Sequence, residues 1–220
     1  MSPTPASVKQ LLASSDVGDR LRAVNQMREL DPAIAFELVQ PACTDSSSRV
    51  RYAAISQMDT LGQQDLQKAL DILRQALKTD PEPDVQSAAA DALGGLKILE
   101  AFDDLRSVYE DTGEWLVKFS IVAALGEFGD PRAFELLVSA LDSDIQLVST
   151  AAIGALGELG DERAIPLLLP YVNADDWQVR HRVAQALSQF NSTETRAALE
   201  QLSQDSSAAV ADTARYYIDN

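Results

Sequence analysis

The side chains that most often carry catalysis or bind metals are scarce in this 220-residue chain. The chain has one histidine, His181, so no two-histidine metal site can form within a single chain. Because Arg182 follows it, His181 is also not part of a His-Glu metal motif. The one cysteine, Cys43, is predicted to be a small apolar core residue; the alternative is a catalytic or ligand-accepting thiol. Acidic residues are plentiful, but no pair is singled out for acid–base work. We therefore predict no catalytic residue and no metal site.

Large aromatic side chains near a surface are frequent binding anchors, and the chain has two tryptophans, Trp115 and Trp177. Each is followed four positions later by another ring, on the same face of a helix. The equivalent positions between the two pairs carry small residues. We predict a shallow trough with two aromatic walls and a low floor; the alternative is that both tryptophans fill turns and are mostly buried. The residues assigned to this trough are Trp115, Phe119, Thr150, Gly154, Trp177 and His181.

Basic residues are few, so their positions are informative. Arg51 and Arg180 directly follow the first apolar residue of a predicted helix. We predict that each forms a structural ion pair with an acidic residue of the preceding turn, such as Asp45 or Asp175.

Arg22 and Arg182 stand two positions further along their helices and fit that structural role less well. We predict that they bind carboxylates of a partner, including the propionates of a tetrapyrrole, through bidentate contacts. Tyr52 occupies the position that Phe119 and His181 occupy in later segments, and it is assigned to the same binding face.

A repeated element must position all of these side chains. Seven buried-type apolar residues recur at spacings of 31 to 35 positions, and the same local sequence surrounds each of them. Helical periodicity runs throughout, and no alternating strand pattern is present. A repeat of this period is typical of a solenoid of stacked helix pairs. The seven residues are Met27, Met58, Leu93, Leu125, Leu156, Leu187 and Ile218.

The repeated sequence resembles the HEAT-like repeat of the short, bilin-lyase type. The match is clearest at residues 124–130 and 155–161, which read Ala-Leu-Gly-Glu-Phe-Gly-Asp and Ala-Leu-Gly-Glu-Leu-Gly-Asp, and it extends to 50–54 and 92–94. The resemblance covers residues 16–218. It implies an all-α fold, a right-handed α-solenoid of about six to seven HEAT-like helix pairs.

The repeats predict a single domain over residues 1–220. Continuous helices are expected at 32–43, 48–61 and 162–172, among others. The predicted segments are a leading helix at 5–13, repeats at 16–45, 46–80, 81–112, 113–143, 144–174 and 175–205, and a terminal capping helix at 206–220.

Composition excludes several classes of partner. The formal net charge of −16 opposes binding to nucleic acid and to anionic membranes. No apolar run is long enough to span a membrane, and the first residues lack the pattern of a signal peptide. A lone cysteine fits a reducing compartment, so we expect a cytoplasmic protein.

The size and the repeat type together resemble the phycobilisome bilin-lyase family of the E/F type, and within it the phycobilisome-degradation type. The resemblance implies a cyanobacterial, non-catalytic protein that requires no cofactor. It would recognise phycobiliprotein subunits or their bilin on its concave face during pigment assembly, detachment or degradation, with phycocyanobilin as the candidate ligand. Two alternatives stay open: a generic HEAT-repeat adaptor, for example for an iron–sulfur assembly or metabolic partner, and one subunit of a heteromeric phycocyanobilin lyase.

Overall fold

The computed structural model describes residues 2–219; Met1 and Asn220, the two ends of the predicted single domain, lie outside the described residues. Within residues 2–219 every regular element is a helix, so the predicted all-α fold class is confirmed. No helix in this range combines the length and the apolar character needed to cross a bilayer. The α-helices are α1 (Pro5–Leu12), α2 (Val17–Gln26), α3 (Pro32–Val39), α4 (Ser48–Ile55), α5 (Met58–Leu61), α6 (Leu66–Thr79), α7 (Pro83–Gly95), α8 (Phe102–Asp111), α9 (Trp115–Phe128), α10 (Phe134–Leu141), α11 (Gln146–Leu159), α12 (Ile165–Leu168), α13 (Trp177–Leu187), α14 (Thr193–Leu202) and α15 (Ala208–Asp219).

The chain divides into two compact units, unit 1 over residues 1–124 and unit 2 over residues 125–220. The helices of unit 1 form pairs in chain order, and the first helix of each pair is α2, α4 or α7. These three first helices pack side by side, and α6 packs against α7. Unit 2 repeats this arrangement, because α10 packs against α11 while α11, α13 and α15 lie next to one another in order. Each unit is therefore a stack of helix pairs in which like helices are neighbours.

The recurring apolar residues form the core of each unit. Six of the seven are fully buried, from Met27 to Leu187. Full burial of one such side chain contributes about 1.5–3 kcal/mol. The seventh, Ile218, is only half-buried, because no further helix follows α15 among the described residues.

Proline shortens two of the helices that the sequence predicts to be continuous. The helix expected at 32–43 ends at Val39 and continues as a 3₁₀ segment, Gln40–Thr44. The one expected at 162–172 is α-helical only over Ile165–Leu168, with a 3₁₀ segment on either side. Pro41 and Pro170 each lie two residues beyond the α-helical end. A proline has no N–H and its ring crowds the preceding turn, so the regular hydrogen bonding stops.

A buried glutamine accompanies the break in the third of these helices. The helix expected at 48–61 ends at Ile55 and resumes at Met58. Between them Gln57 is 5% exposed, and its Nε2 donates to the carbonyl oxygen of Val24 over 2.8 Å. Val24 lies in the last turn of α2, where carbonyl groups are left without regular helical donors. The side chain of Gln57 thus supplies a hydrogen-bond donor to the C-terminal end of a helix in the preceding repeat.

Two glycines allow neighbouring helices of unit 2 to approach closely. A Cβ atom added to Gly126 would lie 2.7 Å from the Cα of Ala155, and one added to Gly157 would lie 2.6 Å from the Cα of Ala186. Backbone atoms form both contacts, so no side chain could rotate away. The first contact sets how closely the end of α9 approaches α11, and the second sets how tightly α11 and α13 are stacked.

Residues with a left-handed backbone conformation follow the last residue of the first helix in several pairs. Gly129 and Gly160 have φ values of 65° and 69°. The aspartate that follows each glycine accepts a hydrogen bond from a backbone N–H of the next turn, as Asp161 does from Arg163 at 3.0 Å. In unit 1 the equivalent position holds Lys97, with φ 53°.

Candidate binding site

The first turns of α11, α13 and α15 enclose a surface groove in unit 2, which we call the unit 2 groove. Its volume is about 520 Å³, within the range of roughly 300–1,000 Å³ that is usual for small-molecule sites. It is lined by Gln146, Leu147, Thr150, Asp176, Trp177, Gln178, His181, Arg182 and Ala209. Four of the predicted site residues therefore line one groove, and a fifth, Gly154, lies beneath Arg182.

Trp177 forms the aromatic wall of the unit 2 groove. Asp176 precedes α13 and accepts a hydrogen bond from the backbone N–H of Gln178 at 2.8 Å, so the helix begins with Trp177 as its first residue. The indole is 46% exposed and meets the ring of His181 edge-on, with centroids 6.5 Å apart. Trp115, at the start of α9, is 44% exposed. The alternative of two buried, turn-filling tryptophans is therefore wrong.

His181 is held in place from the neighbouring helix. Its Nε2 lies 3.0 Å from the hydroxyl oxygen of Thr213 on α15. The side chain is half-buried. A ring fixed on one side by Thr213 and on the other by Trp177 presents a defined surface to the groove.

Arg182 supplies the positive charge of the unit 2 groove. The side chain is exposed, and it makes no ion pair with any residue in the described range 2–219. Its aliphatic stem lies across Gly154, where an added Cβ would be 3.1 Å from Cδ of the arginine. The guanidinium therefore keeps its five N–H donors for a planar, bidentate acceptor such as a carboxylate.

The one carboxylate that lines the unit 2 groove is already engaged. Besides capping α13, Asp176 accepts a hydrogen bond from Nε2 of Gln146 at 2.6 Å, which links α13 to α11. Leu147, which is 54% exposed, adds apolar surface next to this pair. The groove thus combines apolar and aromatic surface with one arginine that makes no ion pair among residues 2–219 and one carboxylate whose hydrogen-bond positions are taken by neutral donors. A flat ligand that carries a carboxylate of its own, or an acidic and apolar segment of a protein, could use the donors of the arginine.

Leu147 is a site residue that the sequence reasoning missed. It directly precedes Val148, the first core residue of α11. Adjacent positions on a helix are about 100° apart, so an apolar residue next to a core residue cannot face the same way. An apolar residue beside a core residue therefore indicated that Leu147 faces solvent.

The remaining predicted site residues lie in unit 1. Trp115 and Phe119 share α9, with Phe119 half-buried. Arg22 forms an exposed ion pair through Nη1 with Asp19 at 3.0 Å in its own helix, so a partner's carboxylate would compete with Asp19 for it. Tyr52 is 49% exposed and lines a separate groove, which we call the unit 1 groove.

The prediction that Arg51 and Arg180 pair with acidic residues of the preceding turn is wrong, because both pair with an aspartate of the following turn. Arg51 pairs through Nε and Nη2 with both carboxylate oxygens of Asp80, at 2.6 and 2.9 Å, and so binds the turn that follows rather than the turn that precedes. Its Nη1 donates to the backbone carbonyl of Asp45 in the preceding turn. The guanidinium has donors on two sides, and the preceding turn offers it a carbonyl instead of a carboxylate. Each arginine therefore joins two turns.

The same arrangement, which we call the arginine clasp, occurs at two further places. Arg20 binds Asp45 at 2.7 and 2.9 Å, and Arg180 binds Asp205 at 2.6 and 2.9 Å. The hydrogen bond from Arg20 lowers the pKa of Asp45, and that from Arg180 lowers the pKa of Asp205. These arginines are structural and are not available to a ligand.

Cys43 is a core residue. It is 5% exposed, its Sγ donates to the carbonyl of Val39 at 3.5 Å, and burial raises its pKa to about 12. A thiolate is therefore not accessible near neutral pH. Among residues 2–219, no three His, Cys, Asp or Glu side chains converge in a way that could hold a metal ion.

Comparison with known proteins places the chain in a family. The sequence profile of the HEAT repeats matches residues 4–94, 70–154 and 146–218. The chain therefore belongs to the HEAT-repeat family. No curated protein sequence matches it.

Solved structures of low sequence identity share the fold. The complex of CpcE and CpcF of phycocyanin lyase from Nostoc sp. PCC7120 is similar over 100% of this chain and 95% of that chain, with a TM-score of 0.65 and 22% identity. YibA of Escherichia coli is similar over 98% and 81%, with a TM-score of 0.69 and 14% identity. A HEAT-like repeat protein from Thermococcus onnurineus NA1 covers 98% of both chains, with a TM-score of 0.54 and 14% identity.

Proposed function

We propose that this protein is a non-catalytic binding protein of the phycobilisome, of the type of phycobilisome degradation protein B. It recognises phycobiliprotein subunits or the bilin that they carry, during pigment assembly, detachment or degradation in the cytoplasm of a cyanobacterium. The observation that carries the proposal is the unit 2 groove, whose lining combines an exposed tryptophan with an arginine that forms no ion pair among residues 2–219.

The chemistry of a bilin fits these residues. Its conjugated rings are flat and apolar, so they can stack on the exposed face of Trp177, and its propionate groups match the bidentate donors of Arg182. His181 and Thr150 add polar and small surface between them. The fold similarity to the CpcE and CpcF complex supports the same assignment.

The burial of Cys43 favours binding over covalent chemistry by this chain. A bilin lyase subunit that acts with a second chain is the alternative of the same class. A generic adaptor for another protein is the alternative of a different class, and it has no reason to bind a free tetrapyrrole.

An absorbance titration of the purified protein with phycocyanobilin tests the proposal. We expect a saturable, red-shifted spectrum that weakens in Trp177→Ala and Arg182→Ala. Arg196→Ala is the matched control, because Arg196 is also exposed and lies on α14, away from the lining residues.

If the spectrum does not change although every variant is folded, direct bilin binding is excluded. Capture of purified phycocyanin by the wild-type protein, lost in Trp177→Ala, would then retain the phycobiliprotein assignment. Failure of both measurements would leave the adaptor.

A further inference from the structure

The unit 1 groove lies at the position that matches the unit 2 groove, but its side chains differ. Its volume is about 560 Å³, and it spans the first turns of α4 and α7 with α2 alongside. It is lined by Leu21, Asn25, Ser48, Arg49, Tyr52, Ala53, Glu82, Asp84 and Val85. Tyr52 takes the place that His181 has in unit 2, and Ala53 takes the place of Arg182. The groove therefore has no arginine at the position of Arg182, and its lining cation, Arg49, occupies the place of Gln178.

Tyr52 provides an aromatic platform in this groove. Its side chain is 49% exposed, although a tyrosine on the first helix of a pair could have packed into the stack. The neighbouring Ala53 and Ser48 are small, so the ring is not covered from its own helix. An exposed tyrosine face attracts a cation through the ring quadrupole.

Two carboxylates on the next helix border the same groove. Glu82 precedes α7 and Asp84 lies in its first turn, and neither forms an ion pair with any residue among 2–219. The nearby Asp80 binds Arg51 through both oxygens, so Arg51 attracts Glu82 only from a distance and forms no ion pair with Glu82 or Asp84. They remain available to a positive group from outside.

Arg49 is the basic residue among those that line the groove. It is exposed and likewise forms no ion pair within the described residues, so two carboxylates face one guanidinium. The whole chain carries a net charge of −16, and such a field draws cationic partners toward the surface. Charge complementarity therefore favours a positive occupant.

We propose that the unit 1 groove docks a basic side chain, arginine or lysine, of a protein partner. The cation lies on the ring of Tyr52, and its N–H groups are accepted by Glu82 and Asp84. This contact is separate from the bilin or phycobiliprotein site proposed for unit 2, and it stands if that site is disproved.

Amide chemical-shift mapping on the full-length protein tests this docking. The probe is the peptide acetyl-Ala-Leu-Arg-Leu-Ala-amide, and its twin carries citrulline, which has the shape of arginine without the charge. We expect saturable shifts centred on Tyr52 and Asp84, with a dissociation constant on the order of 1 mM. The citrulline peptide should give no saturable shift.

Variants of the groove are expected to act in opposite directions. Tyr52→Ala and Glu82→Gln should each weaken binding about two- to fivefold. Arg49→Gln should strengthen it about twofold or more, because a competing cation is removed. Asp103→Asn, an exposed acid on α8, is the matched control and should change nothing.

Three outcomes would overturn the proposal. These are equal shifts with the citrulline peptide, shifts spread over the whole acidic surface, and weaker binding in Arg49→Gln. The last would mean that the groove takes an anionic group instead.

Discussion

Arg182 lies directly over Gly154 of the preceding helix pair. An added Cβ at the glycine would come within 3.1 Å of Cδ and 3.5 Å of both Nε and Nη1 of the arginine. The missing side chain of one residue therefore determines where the guanidinium of the other is held. That guanidinium carries the unused N–H donors of the unit 2 groove, so a substitution at Gly154 can change ligand binding without removing a contact that the fold needs.

Gly154→Ala should reduce binding without reducing stability. Alanine is the better helix former, so the free energy of unfolding should stay the same or rise by up to about 1 kcal/mol. The new methyl group pushes the flexible arginine stem aside, and the affinity for phycocyanobilin should fall about threefold or more. Urea unfolding and the absorbance titration measure the two effects. Gly95→Ala is the control, because its new Cβ meets only Asp59 at 3.7 Å; an equal loss of affinity in that variant would contradict the explanation.

Gly157→Ala, unlike Gly154→Ala, should lower the free energy of unfolding. Its Cβ would lie 2.6 Å from the Cα of Ala186, a backbone atom that cannot rotate away. Forcing the two helices apart costs about 1–3 kcal/mol of unfolding free energy. Gly113→Ala, where nothing lies within 4 Å, serves as the comparison in the same denaturation experiment. Similar stabilities of the two variants would show that the close approach is not required.

The arginine clasp of unit 2 should contribute measurably to stability. The side chains of Arg180 and Asp205 are 14% and 9% exposed, and Arg180 also donates to the carbonyls of Ala174 and Asp175. Arg180→Gln should lower the free energy of unfolding by about 1–3 kcal/mol, since it removes the two guanidinium donors of a shielded carboxylate, which keeps only the N–H of Ser207, and the donor shared by two carbonyls. Arg196→Gln removes an exposed pair with Glu200 and should cost well under about 1 kcal/mol.

The clasp also predicts a pH dependence. The side-chain hydrogen bond from Arg180 lowers the pKa of Asp205 in the folded protein. A carboxyl with a lowered pKa stabilises the fold above its unfolded pKa, about 3.9, and this contribution is lost as the pH falls through the folded value. The stability difference between wild type and Asp205→Asn should therefore shrink from about pH 6 to about pH 3. Parallel stability curves over that interval would refute the assignment.

Lys97 marks a place where the protein is less stable than it could be. Its φ of 53° is left-handed, whereas the equivalent residues of later repeats are Gly129 and Gly160. A side chain in this conformation is disfavoured by about 1–2 kcal/mol. Lys97→Gly should raise the free energy of unfolding by up to about 1 kcal/mol, because the added freedom of glycine in the unfolded chain offsets part of the gain. Lys97→Ala keeps the strain and should not show this increase, so the two variants are compared by urea denaturation.

The fold could be predicted from the sequence because its signal is repeated. The spacing of Met27 to Leu187 and the glycine–aspartate ends of the helices specify the same arrangement many times over. The breaks at residues 39 and 55 could not be located from that pattern, because apolar periodicity continues across them while Pro41 and Gln57 change the backbone hydrogen bonding.

The binding site was predictable only in part. Trp177, His181 and Arg182 could be grouped from the sequence, because their spacing along one helix determines which face they share. The direction in which Arg51 and Arg180 pair was not predictable, because a long side chain at that position reaches both the turn before it and the turn after it. Which of the two turns presents a carboxylate at bonding distance depends on the three-dimensional path of the backbone.

The arginine clasp has a consequence for how such a chain can change in length during evolution. The repeat-long segment that contains Asp45 and Arg51 holds the acceptor for Arg20 of the segment before it and the donor for Asp80 of the segment after it. Duplication of a whole segment adds a matched donor and acceptor together, and removal of a whole segment deletes them together. An insertion of half a segment would leave a shielded charge without its partner. Rearrangements that keep this segment whole therefore preserve the matched charges, whereas those that cut it do not.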